Sequence, residues 1–216
     1  MKAIIAGATG LIGTFLVDGM KSDKDVLSAI ALTRRDGKQE GKVAWTKIDF
    51  DKSLDLENAC NGADHAFCCL GTTMKIAGSK EAFRKVDYDY VIAFAKAAKA
   101  QGIESFSLIS AIGSDANSSV FYSKVKGEVE LNLENLSFES LHIFHPSLLL
   151  GPRIESRLGE KIGTVGMNLI APLMLGSFSK YKPIHVKTVA QSMLRLAKAP
   201  LRGVHHFEYD GMTENY

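Results

Sequence analysis

The sequence predicts an α/β fold, a doubly wound parallel sheet with helices on both faces. Three observations predict it: short unbroken apolar runs, longer stretches of helical periodicity alternating with them, and a string of three glycines where the first run ends. Strands buried on both faces read as continuous apolar runs, and strands alternating with helices need crossover connections that cover the sheet.

The elements follow in order. Lys2 to Ala6 is the first buried strand, and Leu11 to Met20 carries apolar residues at helical spacing. Val26 to Leu32 and Val43 to Ile48 are the next two strands; Leu54 to Cys60 is a short helix closed by Asn61-Gly62. His65 to Leu70 is a strand, Glu81 to Lys99 an alanine-rich helix, and Phe106 to Ile109 a strand. A helix from about Ser119 to Glu134 and a strand from Phe138 to Phe144 continue the alternation. Beyond Pro146 the pattern loosens into a loop at 151–159 and an apolar helix or lid at 165–175. A short segment at 183–186, a helix at 188–199 and a closing strand from Val204 to Tyr209 follow. Residues 1–216 therefore read as one domain, with 147–216 a small C-terminal substrate or lid subregion.

Composition narrows the function. A net charge of +2 with scattered basic residues offers no electrostatic footprint for nucleic acid. The apolar start is too short for a signal-peptide core, and 165–175 is too short to span a bilayer, so no membrane partner is expected. Three cysteines, two adjacent, form neither a disulfide framework nor a metal spacing, which favours the reducing cytoplasm.

Gly7-Ala8-Thr9-Gly10-Leu11-Ile12-Gly13 stands where the first strand hands over to the first helix. Glycines there allow a tight turn, close approach to a pyrophosphate, and tight packing of helix on strand. The free N–H groups of the helix start then bind the phosphates. The second strand ends Thr33-Arg34-Arg35, with no acid until Asp36. Acids at this place meet ribose hydroxyls, whereas guanidinium groups suit a 2′-phosphate, so the cofactor expected is NADP(H).

Tyr122 and Lys126 lie four apart, on one face of a helix. A phenol is a poor acid–base catalyst unless its ionised form is stabilised, and an ammonium one turn away is expected to do that by lowering its pKa. Ser110 ends the preceding strand, at the carboxyl edge where such sheets bind ligands.

With these motifs in this order, the chain resembles the extended and atypical short-chain dehydrogenases/reductases, which have the Rossmann fold. Cys69-Leu-Gly-Thr-Thr73, Phe83-Arg-Lys-Val-Asp87, Val125-Lys-Gly-Glu-Val-Glu130 and Pro146-Ser-Leu-Leu-Leu-Gly-Pro-Arg153 resemble the Tat-interactive-protein-like atypical group. The resemblance implies Tyr122 as general acid/base, Lys126 as its electrostatic partner and Ser110, or the nearby Ser114, as carbonyl polariser. It implies Asp49 near the adenine, Leu70, Gly71 and Thr72 along the ribose-phosphate, and Pro146 to Leu148 facing the nicotinamide. A homodimer is implied too. Asp87 stands where many extended members carry Asn, and His145 where Arg often precedes the proline.

Other residues carry no chemistry in this reading. His205 and His206 point to opposite faces of a strand, and His142 and His145 have no ligand spacing, so no metal is expected. Cys68 and Cys69 read as small core residues, and Glu128 and Glu130, two apart, as a solvated helix surface. Arg153, Arg157 and Lys161 read as surface charge. The function expected is an NADP(H)-dependent oxidoreductase acting on a small carbonyl or alcohol. The alternatives are a non-catalytic NADPH-binding sensor and a nucleotide-sugar epimerase or dehydratase, for which seventy residues after Pro146 leave little room.

Overall fold

The structure is a computed structural model and describes residues 1–151 and 176–214. The opening apolar run forms β1 (Lys2–Ala6), buried beyond Lys2. It leads through the glycine turn into α1 (Leu11–Ser22). β2 (Ser28–Thr33), β3 (Gln39–Glu40), β4 (Val43–Lys47), α2 (Ser53–Cys60) and β5 (His65–Cys68) complete the first half. The second half holds α3 (Met74–Ala77), α4 (Lys80–Arg84), α5 (Tyr90–Ala100), β6 (Ser105–Ile109), α6 (Phe121–Glu134) and β7 (Ser140–Phe144). After these come β8 (Leu149–Leu150), a 3₁₀ turn at Gly176–Tyr181, β9 (Ile184–His185), α7 (Val186–Lys198), β10 (Gly203–Phe207) and α8 (Tyr209–Thr213).

The main sheet runs β10-β7-β6-β5-β1-β2-β4-β3. Its pairings are parallel except β3 with β4. This is the expected Rossmann-like, doubly wound architecture. From β1 the chain winds outward through β2 and β4, then crosses back to β5 on the other side. The reversal opens a crevice at the carboxyl ends of β1, β2 and β5, where such sheets bind ligands.

Two apolar layers hold the sheet. On one face Leu16, Val17 and Met20 of α1 meet Val189, Met193 and Phe207. On the other Leu56, Val91, Phe94, Val129 and Leu133 cover Ile4, Phe106 and Ile143. The C-terminal stretch joins this body: α7 lies on α1, and β10 extends the sheet beside β7. The apolar run at 165–175, with Arg153, Arg157 and Lys161, lies outside the described residues.

Several boundaries differ from expectation by about two residues, and two differences have a clear structural cause. β10 stops at Phe207 because its partner β7 ends at Phe144; the last rung is the His145 N–H donated to the Phe207 carbonyl at 2.8 Å. Tyr209 instead opens α8. The long helix expected at 81–99 is α4 and α5 joined through a π-helical turn at Lys85–Asp89, with the junction residues Arg84 and Tyr90 both helical. Such wide turns frequently mark functional sites. This one carries Asp87.

Candidate functional site

Gly7 turns the chain at a φ of +81°, and a Cβ there would lie 2.4 Å from the Cys69 carbonyl carbon. Only glycine satisfies both conditions. Gly10 caps α1 with no side-chain hydrogen bond, and the first turn of the helix holds no acid. Its unpaired N–H groups, from Leu11 to Gly13, present a positive dipole end. Thr9 is exposed at the mouth, while Ile12 and Gly13 are buried.

The turn opens into a cleft whose lining includes Thr9, Thr33, Arg34, Phe50, Leu70 and Tyr90. Gly71 also borders it. Phe50 and Tyr90 stack at 5.2 Å between ring centroids, a flat apolar wall that sequence reasoning missed because the two rings meet across separate elements. Asp49 is exposed and is not part of the lining: its Oδ1 accepts the Asp51 N–H at 3.0 Å, closing a turn. Arg34 and Arg35 are exposed, and among the described residues neither guanidinium has a carboxylate partner. Asp36, next in the chain, pairs with Lys47 at 2.9 Å. A glycine cradle, uncapped helix N–H groups, an aromatic wall and unpaired guanidinium groups fit a dinucleotide carrying phosphates.

Tyr122, Lys126 and Glu130 occupy one face of α6, successive turns apart. Lys126 is buried and forms an ion pair with buried Asp87 at 2.8 Å. The other Asp87 oxygen accepts the Thr72 N–H at 2.8 Å, so that amide is turned toward Asp87. A Cβ on Gly71 would lie 3.9 Å from Lys126 Nζ, which puts the ammonium beside the cleft border. Burial works against the charged lysine, but Asp87, Tyr122 and Cys68 together outweigh it and raise its pKa.

The expected lowering of the Tyr122 phenol is corrected. Desolvation against its surroundings, where the ring packs on Phe83 at 5.7 Å, is the largest influence and raises its pKa. Lys126 pulls it down, Asp87 offsets part of that pull, and with desolvation the net shift is upward. The departure at position 87 thus changes how the lysine acts on the tyrosine.

Ser110 follows β6 and donates its hydroxyl hydrogen bond to Glu130 Oε1. Ser114 Oγ lies 3.0 Å from Ser110 Oγ and donates to the Ala111 carbonyl at 2.8 Å. The loop carrying both serines sits directly on α6: a Cβ on Gly127 would lie 2.1 Å from the Ala116 nitrogen. Glu130 is therefore not a solvated surface residue; it is buried and also accepts from His145 Nε2 at 3.0 Å. Burial alone would raise its carboxyl, but His145 and the two serines hold it below the usual range. The signal was available, since Glu130 is four residues beyond Lys126. Glu128 faces elsewhere and pairs with Arg84 at 2.5 Å.

Pro146 and Leu148 lie just past β7, their carbonyls accepting the Ile112 N–H at 3.2 Å and the Ile184 N–H at 3.0 Å. Cys68 is buried, and desolvation pushes its thiol up to about 12, which leaves it unreactive.

The geometry of crevice and glycine turn defines a dinucleotide-binding protein. Residues 7–135 match the model of an NAD(P)H-binding family, and the chain belongs to that family. It is 35% identical over 207 residues to protein HTATIP2 of Rattus norvegicus, covering 94% of this chain and 83% of that protein. To protein FMP52, mitochondrial, of Meyerozyma guilliermondii it is 31% identical over 204 residues, covering 94% and 88%. The expected kinship with Tat-interactive-protein-like chains is borne out. Among solved structures, UDP-glucose 4-epimerase with UDP-glucose from Thermotoga maritima superposes with a TM-score of 0.71 at 16% identity, over 96% of this chain and 77% of that one. The oxidoreductase ylbE from Lactococcus lactis gives 0.68 at 18%, over 99% and 95%. These two share the fold.

Proposed function

We propose that the protein is an NADP(H)-dependent oxidoreductase of the short-chain dehydrogenase/reductase type, acting on a small carbonyl or alcohol. The observation that carries this reading is the α6 face, which sets Tyr122 one turn from Lys126 while Lys126 borders the nucleotide cleft at Gly71. NADP(H), when bound, supplies or accepts hydride. The chain's own residues manage the proton and the orientation. With its pKa raised, the Tyr122 phenol stays protonated at neutral pH and serves as proton donor to a carbonyl oxygen being reduced. Lys126, fixed by Asp87, offers its remaining N–H donors to ribose hydroxyls. Arg34 and Arg35, without a carboxylate partner among the described residues, favour the 2′-phosphate of NADP over NAD.

NADPH oxidation with small aldehydes and ketones tests the reading. Tyr122→Phe is expected to lose about 10²-fold or more in turnover while NADPH affinity is kept. Unchanged turnover in that variant would sink the assignment.

One observation favours a second reading, an NADPH sensor with little chemistry. The single Ser110 proton is committed to Glu130 and is not free for a substrate carbonyl. Saturable NADPH binding without turnover across the carbonyl panel would support it. We further propose a cytoplasmic homodimer, on three free cysteines and the family resemblance; no described helix is long and apolar enough to cross a membrane. The FMP52 relatives are called mitochondrial, so fractionation decides the compartment.

A further inference from the structure

We propose that Glu130, His145 and His206 form a binding site for a divalent transition metal of the zinc class. One ligand atom from each lies within 4.8 Å of the others. His145 Nε2 is 3.0 Å from Glu130 Oε1, and His206 Nδ1 is 4.0 Å from Glu130 Oε2. The two imidazole rings face one another at 5.3 Å between centroids, inclined by 35°. Tetrahedral zinc, with bonds of about 2.0–2.2 Å, needs ligand atoms about 3.4 Å apart, so the set must close by roughly 1 Å. His206 is the side chain with room to move, at 42% exposed, whereas Glu130 and His145 are at 10% and 15%.

The surroundings have the form of a supporting shell. Glu134 Oε1 lies 3.6 Å from His206 Nε2, the ring nitrogen that would not bind the ion. A carboxylate in that place fixes the tautomer and raises the basicity of a ligating imidazole. Ser110 orients Glu130 by its hydrogen bond to Oε1, leaving Oε2 toward His206. Two imidazoles and one carboxylate suit zinc, whereas calcium and magnesium ask for oxygen-only sets. The exposed side of His206 leaves a fourth position to water. On binding, the ion displaces the proton now held between His145 Nε2 and Glu130 Oε1.

The test titrates Zn²⁺ into chelator-stripped full-length protein, by calorimetry and against a chromogenic zinc chelator. One ion per chain at micromolar or tighter affinity is expected. His206→Ala and His145→Ala should each weaken it by more than tenfold, and Glu134→Gln by about tenfold. His205→Ala is the control: its ring turns to the Arg202 carbonyl at 2.9 Å on the opposite face, and affinity should hold. His206 is on the surface, so its loss leaves the fold intact, as circular dichroism would verify. No saturable uptake by the unmodified protein overturns the proposal. So does uptake that His206→Ala leaves unchanged, since the ion would then sit elsewhere.

Discussion

Asp87→Asn probes the buried pair that organises the α6 face. Asp87 and Lys126 are 1% and 7% exposed, and two donors converge on the carboxylate, the ammonium on one oxygen and the Thr72 N–H on the other. An amide of the same shape has one oxygen, so one of those donors must face an NH₂ group. Removing one partner of a buried ion pair costs about 3–5 kcal/mol, and the retained acceptor places this variant near 3 kcal/mol. The pH dependence identifies the cause. In the native protein the Lys126 pKa lies above 10.5, so the pair's stabilisation is complete at neutral pH and is lost only as pH rises through the folded value. In the variant the Asp87 charge is gone, burial outweighs what Tyr122 and Cys68 still supply, and the Lys126 pKa falls, so the penalty is greatest at neutral pH and shrinks as the lysine deprotonates. Urea denaturation is therefore expected to show a gap of about 3 kcal/mol at neutral pH that narrows clearly by about pH 9.5. A gap under about 1 kcal/mol, or one equal at both pH values, would refute the reasoning.

Two further outcomes are expected. Replacing Arg34 and Arg35 with Ala should weaken NADPH binding by about 10- to 100-fold while NADH affinity stays level, since charge-assisted hydrogen bonds contribute about 1.5–3 kcal/mol. Equal losses for both nucleotides in calorimetric titration would remove the case for the 2′-phosphate. Acid should destabilise the fold through His65, whose pKa burial pushes down to about 3, with His142 adding to the shift. As pH falls below 6.5 the unfolded chain takes a proton that the folded chain refuses, a loss of about 1.4 kcal/mol per pH unit until the folded value is reached. Thermal melts from neutral to acid pH should fall less steeply in His65→Asn, and an unchanged slope would count against it.

Much of the fold was legible because burial on both faces leaves its mark on strands such as β1, β5 and β7, which are buried almost throughout. The glycine turn was legible for a related reason, since a φ of +81° restricts residue choice at Gly7. The π-helical turn left no such mark, because Lys85-Val-Asp-Tyr-Asp89 suits an ordinary helix equally well. Tyr122 and Lys126 could be read from spacing within one helix; Glu130 obeyed the same spacing and was overlooked beside Glu128. His145 and His206 meet only because β7 and β10 are neighbours in the sheet, a pairing between residues 61 apart in a chain whose spacing rules act locally. Phe50 and Tyr90 escaped for the same reason.

The wide turn at Lys85–Asp89 makes the length of this helix as informative as its residues. An i to i+5 turn holds about one residue more than an α-helical turn, so it amounts to a single surplus residue in an otherwise regular rod. Excising one residue between Arg84 and Tyr90 would leave both ends of the rod well capped and helical. The same excision would restore an ordinary α-helical turn with the flanking faces in place, and the aspartate carried on the wide turn would lose its position against the lysine it neutralises. In an alignment of related chains, a one-residue gap at this place would therefore report a changed ammonium environment even where Tyr122 and Lys126 are both retained.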